Sequence, residues 1–233
     1  MRTHIDIDGT AFRINGVPAY PGRVHDGRRI EGLLFNSRMI QAIFDDGNPA
    51  TAVHWRYPDT GTWDPERNTS EFCAALPVYR RHGLLGVTVG LQGGGPVFND
   101  VYHQYVNSAY APDGTFKPAY FDRLLRVLRA ADEAGMVVIV NYFYWKQAQR
   151  LESDAVITRV TERVTDWLLR SGFRNILVDV MNEANTWPGT TDLLSPARVH
   201  ELIGIVQQTS LNGRRLLAGV STCGGDALPA PQW

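Results

Sequence analysis

Residues 175–185 read NILVDVMNEAN. A run of strand-forming aliphatics, Ile176 to Met181, ends abruptly in an amide and a carboxylate, Asn182 and Glu183. An apolar run without alternation fits a strand buried on both faces, as in a parallel sheet covered by helices. Alternate residues of a strand share a face. Glu183 therefore falls on one side with Met181, Asp179 and Leu177, and Asn182 on the other with Val180 and Val178. A strand that delivers two polar groups at its C-terminal end is a candidate for a functional mouth.

The flanking sequence repeats the pattern. EGLLFNSRMI (31–40), LLGVTVGL (84–91), MVVIVNYFYW (136–145) and RLLAGVST (215–222) read as further strands, which makes 175–181 the fourth of five. A helix near 70–82 ends at Gly83. Pro118 opens another, with Phe121, Leu124, Leu125, Leu128 and Ala131 at helical spacing and Gly135 closing it. On that helix Arg123, Arg126 and Arg129 read as the solvated side. Ile157, Val160, Val164, Trp167 and Leu168 mark a third helix, and Ser195-Pro196 reads as the N-cap and first residue of a fourth. Ahead of all this, HIDIDGTAFRINGVPAY (4–20) alternates around Asp8-Gly9 and Asn15-Gly16, two hairpin turn signals.

Strands alternating with helices predict an α/β fold with a parallel sheet. A doubly wound open sheet and a (β/α)₈ barrel cut short both fit this rhythm. The 233 residues carry a net charge of −1 with no basic stripe, which argues against a nucleic-acid surface. The longest apolar runs are too short to span a membrane, and MRTHIDIDGT is no signal peptide, so a cytoplasmic protein is expected. Cys73 and Cys223 form neither a disulfide framework nor a metal pattern. The six histidines show no metal-binding spacing. No cofactor is expected. LQGGGP (91–96) lacks the lysine of a phosphate loop.

NILVDVMNEAN, with its Asn-Glu pair ending a fourth strand and an FRINGVPAY hairpin ahead of the first, resembles the clan A glycoside hydrolases, the superfamily that includes the family 5 cellulases. The likeness departs at Ala184, where proline is usual, and at NYFYW, where family 5 commonly has a histidine. The resemblance implies a TIM barrel acting on carbohydrate by retaining hydrolysis. It makes Glu183 the general acid/base and Asn182 the partner of the sugar 2-hydroxyl. Glycoside cleavage needs a carboxylic acid to protonate the leaving oxygen, and Glu183 at the rim of an apolar barrel is placed to do so. Asp179 is not the second carboxylate. It lies four residues back, about 13 Å at ~3.3 Å per residue, whereas retaining pairs sit ~5–5.5 Å apart; it reads as a buried support of the strand end.

In the clan the nucleophile ends the seventh strand. Repeats of roughly 40 residues would need well over ~300 for eight strands. The expected fold is therefore a (β/α)₈ TIM-barrel type, truncated after about five βα units, with an N-terminal β-hairpin capping segment over 1–30 and the partial barrel over 31–233. Such a chain carries the acid/base without the nucleophile and is expected to be inactive alone. Its open sheet edges would favour self-association.

Loops after strands cluster at the active face. They carry His54, Trp55, Tyr57 and Trp63, then Tyr102, His103, Tyr105 and Tyr110, then Tyr142 to Trp145, then Trp187. Aromatic faces stack on sugar rings, although long loops also use aromatics as local cores. Trp145 and Trp187 lead, with Tyr144 and His103 beside them. Arg38 and Gln92, ending strands one and two, could hold a carboxylate or a hydroxyl, Arg38 through a bidentate pair. A non-catalytic sugar-binding barrel and an unrelated doubly wound enzyme are the alternatives; a sequential, curving strand order would exclude the latter.

Overall fold

The computed structural model describes residues 1–94, 104–186 and 192–223. The chain opens with a three-stranded antiparallel sheet, β1 (Ile5–Asp8), β2 (Ala11–Ile14) and β3 (Val17–Pro18). Gly9, Asn15 and Gly16 take positive φ at its turns, as the Asp-Gly and Asn-Gly signals require. A small hairpin follows, β4 (Val24–His25) with β5 (Arg28–Arg29).

The main sheet has five parallel strands: β6 (Asn36–Arg38), β7 (Gly86–Gly90), β8 (Val137–Tyr144), β9 (Ile176–Asn182) and β10 (Leu217–Gly219). They lie in chain order from β6 to β10. A doubly wound sheet reverses its order at a switch point, so sequential order excludes that alternative and gives the partial-barrel arrangement of an α/β fold. The first strand is much shorter than the 31–40 segment suggests.

The helices are α1 (Pro49–Ala52), α2 (Pro65–Arg81), α3 (Pro118–Ala134), α4 (Trp145–Ala148), α5 (Asp154–Ser171) and α6 (Val199–Gln208). α2 starts five residues earlier than its apolar period suggests, because Asp64 Oδ1 accepts from the amides of Glu66 and Arg67, both at 2.9 Å, and Pro65 occupies the first turn. α6 starts later than Ser195-Pro196 suggests. Those residues sit in a turn, and the Ser195 carbonyl accepts from Val199 N at 2.9 Å. Among the described residues no helix is long and apolar enough to cross a membrane.

The core lies between the sheet's outer face and the helices. Val138, Val140 and Tyr142 of β8 and Val180 of β9 are wholly buried against Leu124, Leu128, Ile157, Val160 and Val164. Arg123 is buried among them at 1% exposure, contrary to its reading as a solvated residue. Its guanidinium pairs with Glu66 at 2.9 Å and Asp45 at 3.6 Å, donates to the Ile43 carbonyl, and packs over the Tyr120 ring. Those carboxylates come from α2 and the loop after β6, so nothing local to α3 announces the burial.

The opposite face of the sheet curves around a second, smaller cluster. Ile5 packs on Val137 and Leu177, with Phe12, Ile14, Leu34 and Ile139 around them. The N-terminal sheet thus covers the lower end of the concave face. It is fixed there by Ile5 N donating to the Arg174 carbonyl at 3.0 Å. The Asp132 carboxylate of α3 also holds it, accepting from the amides of Arg2 and Thr3 at 2.9 Å.

Candidate active site

Above that floor the concave face encloses a cavity of about 450 Å³, lined by Ile7 and Phe12 below and by Arg38, Asp179, Asn182 and Ser221 toward the C-terminal strand ends. Ile7 and Leu217 on its wall remain 47% and 36% exposed, so the cavity is open rather than sealed.

Its polar rim is built by β6, β9 and the exit of β10. Arg38 reaches across the strand ends: Nη1 donates to Glu183 Oε1 at 3.1 Å and Nη2 donates to Asn182 Oδ1. Strict alternation would put Asn182 and Glu183 on opposite faces, yet both reach Arg38, and Asn182 lines the cavity beside Asp179. The departure occurs where β9 ends, since Glu183 takes φ +50°, the left-handed region that residues with a Cβ seldom occupy. Ser221 Oγ accepts from Glu183 N at 3.1 Å and the Ser221 carbonyl from Ala184 N at 3.2 Å. Asn182 is buried, and its Nδ2 has no hydrogen-bond partner among the described residues.

Asp179 lies deeper. Its carboxylate accepts from Ser221 N at 3.0 Å, Ser221 Oγ at 2.9 Å and Asn141 Nδ2 at 3.2 Å. Burial pushes its carboxyl up to about 6, against the lowering effect of those donors. Nothing in the sequence names Ser221 or Asn141 as partners of Asp179. The available signal is that each is a polar residue interrupting an apolar strand, at VIVN and GVST.

The other candidates divide. Gln92 does not reach the cavity. It is wholly buried, with Nε2 donating to Ser108 Oγ at 3.0 Å and Oε1 accepting from Tyr144 N at 3.1 Å, so it ties the exits of β7 and β8 together. Tyr144 is buried against Gly93, where an added Cβ would come within 2.6 Å of its ring. Trp145 is half-buried on an aromatic cluster of Phe44, Trp55, Trp63 and Tyr105. Asp46 organises that cluster by accepting from Trp55 Nε1 at 2.7 Å, Thr51 Oγ1 at 2.6 Å and Val106 N at 2.8 Å. Trp55, Trp63 and Tyr105 therefore form a local core. His103 and Trp187 lie outside the described residues. Among the described residues no three His, Cys, Asp or Glu side chains gather as a metal site.

Fold and rim together define an α/β chain of the barrel type with a polar mouth at its strand ends. The whole chain superposes on a candidate glycoside hydrolase from Bacteroides vulgatus with a TM-score of 0.58 at 14% identity, covering 41% of that protein. A family 5 glycoside hydrolase from Prevotella bryantii aligns over 79% of this chain and 53% of its own, with TM-score 0.48 and 11% identity. An endoglucanase from Pseudomonas stutzeri, solved with cellobiose, aligns over 70% of this chain and 45% of its own, with TM-score 0.41 and 19% identity. The chain thus spans 41% to 53% of the length of the first two, and the likeness to the first is one of fold. No protein family and no curated protein matches the sequence.

Proposed function

We propose that the chain carries the acid/base half of a retaining glycosidase centre acting on oligo- or polysaccharide. One observation carries the reading. At the mouth of a sequentially ordered parallel sheet, Arg38 gathers the Glu183 carboxylate and the Asn182 amide beside an open cavity. The fold shared with a candidate glycoside hydrolase supports it. Glu183 protonates the leaving oxygen, and the unpartnered Asn182 Nδ2 donates to a sugar hydroxyl.

Retention needs a second carboxylate ~5–5.5 Å from the first. Asp179 is committed to Ser221 and Asn141, and no described residue is assigned as nucleophile. A carboxyl that donates a proton cannot stay paired with a guanidinium. Binding of the sugar must therefore displace Arg38 from Glu183 before the proton is passed.

The test supplies a nucleophile from solution. Azide attacks the anomeric carbon of a phenyl glycoside, the C–O bond to phenol breaks, and the Glu183 proton moves to the departing oxygen. Phenyl glucoside, mannoside and xyloside are incubated with the chain and sodium azide. The expected result is azide-dependent phenol release from at least one sugar, falling on the order of 100-fold in Glu183→Gln. Release from none, or an equal rate in the variant, overturns the reading. Saturable sugar binding without azide-dependent release would favour a sugar-binding barrel.

A further inference from the structure

The exits of β9 and β10 are sewn together around one side chain. The Ser221 hydroxyl donates to Asp179 Oδ2 at 2.9 Å and accepts from Glu183 N at 3.1 Å, and Ser221 N donates to Asp179 Oδ1 at 3.0 Å. Two residues on, Cys223 N donates to Asn185 Oδ1 at 2.8 Å. Only a hydroxyl can make both bonds of Ser221 Oγ at once, and a carboxylate at position 179 fixes which way its proton points. The backbone amide so held belongs to the residue in the left-handed conformation, and that conformation brings Glu183 and Asn182 to one guanidinium.

We infer that Ser221, oriented by Asp179, is a positioning residue for Glu183: its hydroxyl holds the left-handed turn that aims the Glu183 carboxylate at Arg38 and the mouth. The inference rests on the glycosidase reading only for what Glu183 then does. Burial works against a charge on Asp179. A carboxylate kept there despite this, with three donors around it, is what an anchor for Ser221 requires.

The experiment uses the full 233-residue chain and reads Glu183 by NMR in Ser221→Ala, Ser221→Thr and Asp179→Asn. In Ser221→Ala the Glu183 Cα and Cβ shifts should leave left-handed values and its amide should exchange about tenfold faster, while methyl signals of Leu128 and Val140 stay in place. Ser221→Thr keeps the hydroxyl and should restore both signatures. Wild-type Glu183 shifts and exchange in a folded Ser221→Ala overturn the inference. So does equal loss in the alanine and threonine variants. Should Ser221→Ala not fold, Asp179→Asn decides: the same local shift supports the inference and an unchanged Glu183 overturns it. These signals report conformation, whereas phenol release reports chemistry. A moved Glu183 in a chain that never releases phenol sinks the glycosidase reading alone.

Discussion

Asn182 and Glu183 are neighbours that an ideal strand would turn apart, and the left-handed residue is what lets one arginine reach both. The Arg38–Glu183 pair is half-exposed, at 49% and 28% of the two side chains, so it adds little to stability. Arg38→Ala should change the unfolding free energy by less than about 1 kcal/mol, measured by urea titration. A loss of stability well beyond that would make Arg38 a structural residue. Asp179 behaves oppositely. Its carboxyl is raised from 3.8 to about 6, so its contribution is fully present below the lower value and lost as pH rises through the upper one. Relative to Asp179→Asn, the wild-type unfolding free energy should fall by on the order of 2–3 kcal/mol between about pH 4 and pH 7. Urea denaturation at stepped pH checks this, and a flat difference curve refutes it. Asn182, Glu183 and Arg38 could be picked out of the sequence because they stand at strand ends. Ser221 and Asn141 could not, because their meaning lies in partners 42 and 38 residues from them in the chain.

Elements were legible where period and punctuation agree. α3 and α5 keep the 3.6-residue apolar spacing and end at Gly135 and Gly172, both at positive φ. α5 also starts at a side-chain cap, with Ser153 Oγ accepting from Val156 N at 3.3 Å. Ser153→Ala should cost about 1 kcal/mol, and Leu128→Ala, from the wholly buried face of α3, about 2–5 kcal/mol. Both are readable as shifts in the urea midpoint, and the reverse ranking would contradict the burial pattern. Arg123 escaped the reading because helical spacing describes a face and not what is packed against it. Its two carboxylates arrive from other elements and turn an expected surface cation into an interior one. Loop aromatics escaped for a related reason. Composition alone does not separate a sugar platform from a private core, and Asp46 decides for the core by fixing Trp55.

At the scale of the molecule, the sheet presents β6 and β10 as its two edges among the described residues. Unpaired strand edges invite further pairing, and Leu217 on β10 is partly exposed beside the open cavity. The chain should self-associate as concentration rises, and Leu217→Lys should weaken this in sedimentation velocity runs; identical sedimentation of the two would place any contact elsewhere. The alternation of strands and helices left the strand order open, because a doubly wound sheet has the same rhythm; it was the resemblance carried by Asn182-Glu183 at the end of a fourth strand that decided for the sequential order the sheet has. That order has a bearing on biosynthesis. A ribosome releases the strands in the sequence in which they stand side by side, so each newcomer meets an edge already laid down and none has to be threaded between earlier neighbours. Assembly can then keep pace with translation, one βα unit at a time.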